Sequence, residues 1–115
     1  MSTQYIMYRA TTPIHTFVLP LNADSYAEIQ IAYKQTLTKK PAVNLVKHYQ
    51  DATLPSGMVL DGKKAVVTLT QQETLMFSKG SLSVHLRVRT EDSHVWATQK
   101  WSVKVEESNN EDILS

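Results

Sequence analysis

Strict alternation of apolar and polar side chains is the feature that most limits how this chain can fold. From Ser81 to Arg89, every second residue is leucine or valine, and the residues between them are serine, histidine and arginine. A period of two residues puts the apolar side chains on one face of a β-strand and the polar ones on the other. Tyr26–Gln35 alternates in the same way. These two segments predict half-buried strands and a mainly β fold.

Shorter segments of the same character follow one another along the chain, separated by turn residues. Further strands are predicted at Ile14–Leu19, Val43–Gln50, Met58–Leu60, Lys64–Leu69 and Val95–Val105, and Gln4–Arg9 is predicted as a short strand or a loose arm. Asp61-Gly62 is a strong hairpin signal. Thr70 and Glu73 have the spacing of a capping box, so residues 71–77 are expected to form one short helical turn.

The number and spacing of these strands predict a single antiparallel β-sandwich of immunoglobulin-like type, with a small barrel as the alternative. A length of 115 residues fits one domain. We assign residues 1–105 to the sandwich and residues 106–115 to an acidic tail. All 12 lysines and arginines precede the tail, whereas 4 of the 11 acidic residues lie in it. We expect the tail to be mobile or held by a neighbouring subunit.

The residue types that carry catalysis or bind metals form no recognisable motif. The four histidines lack metal-ligand spacing, and the chain has no cysteine. There is no G-x-S-x-G elbow, and the three glycines are too far apart to form a phosphate-binding loop. We therefore expect no enzyme activity, no cofactor and no metal. We also expect no signal peptide and no membrane partner, because no apolar run is long enough.

One strand face carries the residues that we predict to contact a partner. His85, Arg87 and Arg89 share the polar face of Ser81–Thr90. Their functional interpretation is a partner-facing surface, and the alternative is a solvated face that resists edge-to-edge aggregation. Trp96 lies opposite the apolar face of its strand, so it is predicted to be exposed or half exposed, and the alternative is that it packs in a second covered face. If it neighbours the arginines across the hairpin, it completes a contact patch.

The tail supplies two further candidates for partner contact, Ile113 and Leu114, which are apolar residues in an acidic segment. Among the other histidines, His15 shares a strand face with Phe17 and is predicted at the edge of the core. The body of the chain is mildly basic, but it lacks the clustered basic residues of a nucleic-acid surface. We therefore expect protein partners and no nucleic acid.

Four segments carry a resemblance to a known family. Thr12–Pro20 resembles a T-P-x-H-T-F-x-L-P motif, Val67–Phe77 resembles VTLTQEETLxF, Val84–Thr90 resembles VxVQVRVLT, and Val103–Ser108 resembles VKVEDS. All four belong, in this order, to a family of small β proteins encoded in phages and prophages of Gram-positive bacteria. The likeness covers most of the chain.

The resemblance implies a non-enzymatic phage structural or tail-assembly protein that acts through protein–protein contacts, for example in a tail or baseplate. Its expected partners are other phage structural proteins, with a homo-oligomer left open, and its expected location is the virion after synthesis in the bacterial cytoplasm. The family brings no catalytic residues to transfer. The alternative function is a carbohydrate-binding module for host recognition, with Trp96 and one of Tyr26, Tyr33 or Tyr49 as the aromatic platform.

Overall fold

The computed structural model describes residues 5–97 and 100–114. Its strands are β1 Tyr5–Tyr8, β2 Ile14–Val18, β3 Tyr26–Gln35, β4 Val43–Gln50, β5 Met58–Asp61, β6 Lys64–Thr68, β7 Gly80–Thr90, β8 Val95–Ala97 and β9 Trp101–Glu106. A 3₁₀ turn spans Ala23–Ser25, and one short helix, α1, spans Gln71–Leu75. No helix in these two ranges is long and apolar enough to cross a membrane.

The strands form two sheets that pack face to face. The larger sheet has the order β1-β9-β7-β3-β4, with β8 also paired to β7, and the smaller sheet has the order β2-β6-β5. This arrangement confirms a β-sandwich and is the order of an immunoglobulin-type fold, not of a closed barrel. One pair, β1 with β9, runs parallel. The other strand pairs in the described ranges are antiparallel.

The core lies between the sheets and is built by the alternating positions. On the larger sheet, every second residue of β3 and β7 is buried, and on the smaller sheet Phe17, Ala65 and Val67 face them. The strands predicted at Tyr26–Gln35 and Val43–Gln50 have the same bounds in the structure. The period-two pattern therefore identified these two strands and β7 correctly, because one face of each sheet is buried.

The segment predicted as one strand, Val95–Val105, is divided into β8 and β9. On β7, Val84 pairs with Trp101, and Arg87, three residues further along the strand, pairs with Ala97. Ala97 and Trp101 are four residues apart in the sequence, so the partner segment has one residue more than β7 between the two pairs. The pairing register therefore shifts by one residue between the two strands. Because side chains alternate between faces, a shift of one residue exchanges the two faces. The prediction that the apolar residues of β8 and β9 share one face is wrong.

The short helix α1 connects β6 to β7 and begins with the predicted capping box. The Thr70 side chain accepts a hydrogen bond from the backbone N–H of Glu73 at 3.1 Å, and the Glu73 carboxylate accepts one from the backbone N–H of Thr70 at 2.9 Å. These two bonds satisfy N–H groups that a helix start would otherwise leave open. The helix ends at Leu75, and Phe77 beyond it is fully buried.

A buried lysine explains why the alternation of β4 is untidy. Lys47 pairs with Ile31, so it lies on the core face of the sheet, and it is only 5% exposed. Its ammonium group donates to the carboxylate of Glu73 at 2.5 Å and to the carbonyl oxygen of Ser56 at 2.9 Å. This ion pair joins the edge of the larger sheet to α1.

Candidate functional site

The basic face of β7 lies on the outside of the larger sheet, where His85, Arg87 and Arg89 share one side as predicted. Arg89 donates to the carboxylate of Glu28 at 2.6 Å, and His48 lies 2.7 Å from the other oxygen of that carboxylate. The hydrogen bonds from Arg89 and His48 hold the pKa of Glu28 below its ordinary value. Glu28 thus offsets part of the positive charge on this face.

Trp96 is 42% exposed, but it does not join the arginines. It pairs with the buried Val88, whereas Val95 and Ala97 pair with Arg89 and Arg87. Directly opposed residues in an antiparallel pair lie on the same side of the sheet. The predicted patch of Trp96 with the arginines is therefore wrong, and the cause is the one-residue register shift between β8 and β9.

The tail residues Ile113 and Leu114 are exposed, and the segment lies against its own domain. Leu114 exchanges two hydrogen bonds with the Gln71 side chain, at 2.7 and 2.8 Å, and Glu111 forms an ion pair with Arg9 at 2.6 Å. This end of the sandwich carries α1 and lies far along β7 from the arginines. These contacts within the same chain were not predicted from the sequence, and the mobility of the tail stays a prediction.

A groove that sequence reasoning did not find opens between the two sheets. It has a volume of about 350 Å³ and is lined by β2, by Tyr5 of β1, by Val84 of β7, and by Trp101 and Val103 of β9. β1 and β2 are edge strands of the two different sheets, so the groove follows an open side of the sandwich. Pro13 and Pro20 mark β2 as an edge-type strand, but no pattern within the strand indicates the groove.

Aromatic rings form the floor of this groove. The rings of Phe17 and Trp101 lie edge to face with centroids 5.4 Å apart, and the rings of His15 and Phe17 lie 6.4 Å apart in the same arrangement. Edge-to-face contact is a favoured geometry for aromatic pairs. His15 is at the edge of the core, as its strand face predicts, and it also contacts Tyr33 in the opposite sheet.

The contact between His15 and Tyr33 determines which imidazole nitrogen of His15 carries the proton. His15 Nδ1 lies 2.7 Å from the Tyr33 hydroxyl. Burial raises the pKa of Tyr33 and lowers the pKa of His15, so both groups are neutral at pH 7. The buried hydroxyl has no other acceptor in the described residues, and a buried donor without an acceptor costs about 1–3 kcal/mol. Tyr33 therefore donates to Nδ1, and His15 carries its proton on Nε2.

The outside of the smaller sheet carries a cluster of apolar side chains. Ile14, Thr16 and Val18 of β2, Val66 of β6 and Val59 of β5 lie on this side, and we call this group the apolar outer face. The same side also carries Thr68, Lys64 and Asp61 at its ends. Ile14 is 67% exposed, Val18 is 70% exposed and Val59 is 59% exposed. The outer side of an antiparallel sheet usually carries polar side chains. A cluster of exposed apolar side chains indicates a contact surface.

The open edge of β2 also leaves backbone groups unpaired. Leu69 donates to the carbonyl oxygen of Pro13, and Leu19 donates to that of Lys63, so the odd-numbered residues of β2 bond to β6. Because antiparallel pairing alternates, the N–H and C=O groups of Ile14, Thr16 and Val18 point away from β6. They make no hydrogen bond within the described part of the chain.

No metal site is formed by the residues described, and two of the three tyrosines predicted for the sugar platform lie in the core. Among residues 5–97 and 100–114, no three histidine, aspartate or glutamate side chains come together in a metal-binding group. Tyr26 and Tyr33 are buried in the core, and the Tyr26 hydroxyl accepts a hydrogen bond from the backbone of Leu21 at 2.8 Å. These two tyrosines therefore present no aromatic face to a sugar.

Comparison with known proteins identifies the fold. No protein-family model matches the chain, and no curated protein sequence does. The chain aligns with the structure of CopC from Methylosinus trichosporium OB3b at a TM-score of 0.52 and 15% identity, over 95% of this chain and 89% of that one. It aligns with the NK cell receptor Nkp44, a triggering partner in natural cytotoxicity, at a TM-score of 0.51 and 11% identity, over 93% of this chain and 100% of that one. At these identities the likeness shows the fold alone, and the chain is an immunoglobulin-like β-sandwich.

Proposed function

We propose that this chain is a non-enzymatic structural or tail-assembly protein of a phage particle and acts through protein–protein contacts at the apolar outer face. The observation that carries the proposal is the exposure of Ile14, Val18 and Val59 on one side of the smaller sheet. Burying one such side chain contributes about 1.5–3 kcal/mol. A surface of this kind favours a protein partner over continued exposure to water.

The phage context of the proposal rests on the sequence resemblance, whose first motif coincides with this surface. Thr12–Pro20 contains β2, which contributes Ile14, Thr16 and Val18 to the apolar outer face. The same segment forms one wall of the groove. The first family motif therefore contains two exposed apolar side chains of this surface, Ile14 and Val18.

The basic face of β7 supports the proposal less strongly, because Glu28 already pairs with Arg89. Its exposed member, Arg87, lies 3.5 Å from Gln30 and is the residue there best placed for a second contact. A carbohydrate-binding role has less support still, because the aromatic platform loses Tyr26 and Tyr33 to the core.

The test measures incorporation of the protein into particles. A strain that lacks the gene is complemented with the wild type or with the double variant Ile14→Lys/Val18→Lys, and purified particles are quantified by mass spectrometry. We expect the variant to lower incorporation at least about tenfold, because each lysine opposes burial of the surface by more than the apolar side chain favoured it. Its thermal unfolding should remain cooperative, since both positions are exposed.

The matched control is Val46→Lys, which changes an exposed valine on the outside of the larger sheet. It should be incorporated like the wild type. Equal incorporation of the double variant and the wild type would show that the apolar outer face makes no contact in the particle.

A further inference from the structure

We infer that the partner at the open edge of β2 is a second copy of this chain, joined through antiparallel pairing of β2 with β2 about a two-fold axis at Thr16. This inference concerns the edge of β2, whose side chains also belong to the apolar outer face, and it rests on the contact role proposed above. It starts from the backbone groups of Ile14, Thr16 and Val18, which point away from β6 and make no hydrogen bond within the described ranges.

The register of such a pair follows from which residues are unpaired. A two-fold axis at Thr16 places Thr16 opposite itself and Ile14 opposite Val18 of the second copy. All three belong to the set whose N–H and C=O groups point outward, so each opposed pair exchanges two hydrogen bonds. The contact therefore forms about six backbone hydrogen bonds and joins the two smaller sheets into one sheet of six strands.

The side chains at this edge are compatible with themselves. Thr16 pairs with Thr16 of the second copy at the axis, and an Ile14–Val18 pair lies on each side of it. These are favourable cross-strand pairs. No charged residue lies in Ile14–Val18, so the two-fold axis opposes no like charges. Pro13 and Pro20 limit the strand, which restricts the pairing to one short register.

Of the other three outer edges of the two sheets, β4 and β5 are protected against such pairing, and β2 is not. β4 carries the inward-pointing Lys47, and β5 is short and ends in Asp61. Inward-pointing charges and short charged edges are the devices by which proteins block edge-to-edge contact. β1 is uncharged like β2, but its four residues offer a shorter edge than the five residues of β2.

The size of the contact limits the strength of the dimer. Its core is one edge of β2, a strand of five residues. Specific, stable interfaces bury about 1,200–2,000 Å² in total, and one short strand edge lies at or below the lower end of that range. We therefore expect a weak, reversible dimer.

In the proposed dimer, the second copy covers the mouth of the groove. In the dimer, His15 of one copy lies opposite Phe17 of the other copy. All four rings face the same side of the joined sheet, next to the mouths of the grooves. The protonated Nε2 of His15 offers a hydrogen-bond donor there. Covering this mouth removes apolar surface of Tyr5 and Trp101 from water, which adds to the backbone bonds.

The test uses the purified full chain and sedimentation velocity between about 1 µM and about 300 µM. We expect a monomer–dimer equilibrium in the wild type and a dissociation constant raised at least about tenfold in Thr16→Lys, because two ammonium groups would meet at the axis. The control Thr68→Lys changes an exposed threonine of the central strand β6 on the same face, and it should dimerise like the wild type.

Cross-linking places the contact. The chain has no cysteine, so Thr16→Cys carries a single thiol. Directly opposed residues of a hydrogen-bonded pair have Cα atoms about 5.5 Å apart, within the range for a disulfide. Mild oxidation should cross-link Thr16→Cys and leave Thr68→Cys monomeric. A wild type that stays monomeric throughout, or equal cross-linking at both positions, refutes the β2 pairing.

The phage contact role and the β2 self-pairing are refuted by different results. A monomeric wild type whose Ile14→Lys/Val18→Lys variant is lost from particles refutes the self-pairing and supports the contact role with a different protein. A dimer that is cross-linked at Thr16 but never enters particles supports the self-pairing and refutes the phage assignment.

Discussion

The buried ion pair between Lys47 and Glu73 gives the sharpest stability prediction. The change is Glu73→Gln, which removes the negative charge but keeps an oxygen that can accept the hydrogen bond from the backbone of Thr70. The capping box is therefore retained, and the substitution isolates the ion pair. Lys47 is 5% exposed and would keep one acceptor, the carbonyl oxygen of Ser56 at 2.9 Å.

The size of the effect follows from burial. Removing one partner of a fully buried ion pair costs about 3–5 kcal/mol, because the other charge is left without compensation. The side chain of Glu73 keeps 18% of its exposure, so water compensates in part. We expect Glu73→Gln to lower the free energy of unfolding at pH 7 by about 2–4 kcal/mol. The double variant Lys47→Met/Glu73→Gln should be more stable than Glu73→Gln alone, since the buried ammonium group is gone.

The pH dependence provides a second measurement of the same pair. Burial alone would raise the pKa of Glu73, but the hydrogen bonds from Lys47 and Thr70 outweigh it and hold that pKa below its ordinary value of 4.5. A carboxyl group with a lowered pKa stabilises the folded state above its unfolded pKa and loses that contribution as pH falls through the folded pKa. The difference between the wild type and Glu73→Gln should therefore shrink below pH 4.5.

Urea unfolding followed by tryptophan fluorescence measures these free energies, because Trp101 packs against Phe17 between the sheets. Glu106→Gln is the matched control. Glu106 pairs with Lys104 on the surface, where ion pairs contribute little, so its midpoint should stay close to that of the wild type. The reasoning is refuted if Glu73→Gln unfolds within about 0.5 kcal/mol of the wild type at pH 7.

Three further predictions concern a turn, a histidine and the tail. In urea unfolding, Gly57→Ala should lower the free energy of unfolding by at least about 2 kcal/mol and Gly62→Ala by about 1 kcal/mol. Both glycines have positive φ, but only at Gly57 would the new Cβ lie 2.4 Å from a backbone oxygen. Equal losses for the two variants would contradict this explanation. His15 should titrate below 6.5 by NMR, and the protein should lose stability as pH falls below that value, because unfolding frees the buried neutral ring to take up a proton; a midpoint at or above 6.5 would disprove its burial. Removing residues 108–115 should lower the free energy of unfolding by about 1 kcal/mol and leave unfolding cooperative. The reason is that the tail adds one partly exposed ion pair and a few hydrogen bonds. An unfolded product would show that the tail is part of the domain.

The sequence predicted the features that depend on neighbouring residues. The alternation of β3 and β7 depends on one buried face, the hairpin indicated by Asp61-Gly62 depends on local backbone preference, and the start of α1 depends on side chains three residues apart. These are local effects, so the structure confirms them.

The features that sequence reasoning missed depend on distant partners. Lys47 is buried because Glu73, in another element, neutralises it, and no pattern within β4 shows this. Trp96 faces the side of Val88 because the register shifts by one residue, and a shift is invisible until the strands are paired. The parallel pairing of β1 with β9 is likewise decided by packing, because a four-residue strand carries no signal for its partner.

The candidate site shows the same division. The basic face of β7 was found because its residues alternate within one strand, but its pairing with Glu28 comes from β3. The groove and the apolar outer face combine residues of several strands, so they became visible only when the sheets were stacked. The exposed valine of β5, Val59, reads in the sequence as an ordinary strand residue.

The central claim is that this protein is part of a phage particle, and mass spectrometry of purified particles tests it most directly. Prophages of a bacterium that carries the gene are induced, and particles are purified by density gradient and quantified against the known tail proteins. The account predicts the protein in the particle fraction at a fixed ratio to the tail proteins. A protein that is abundant in the lysate but missing from the particles would contradict it.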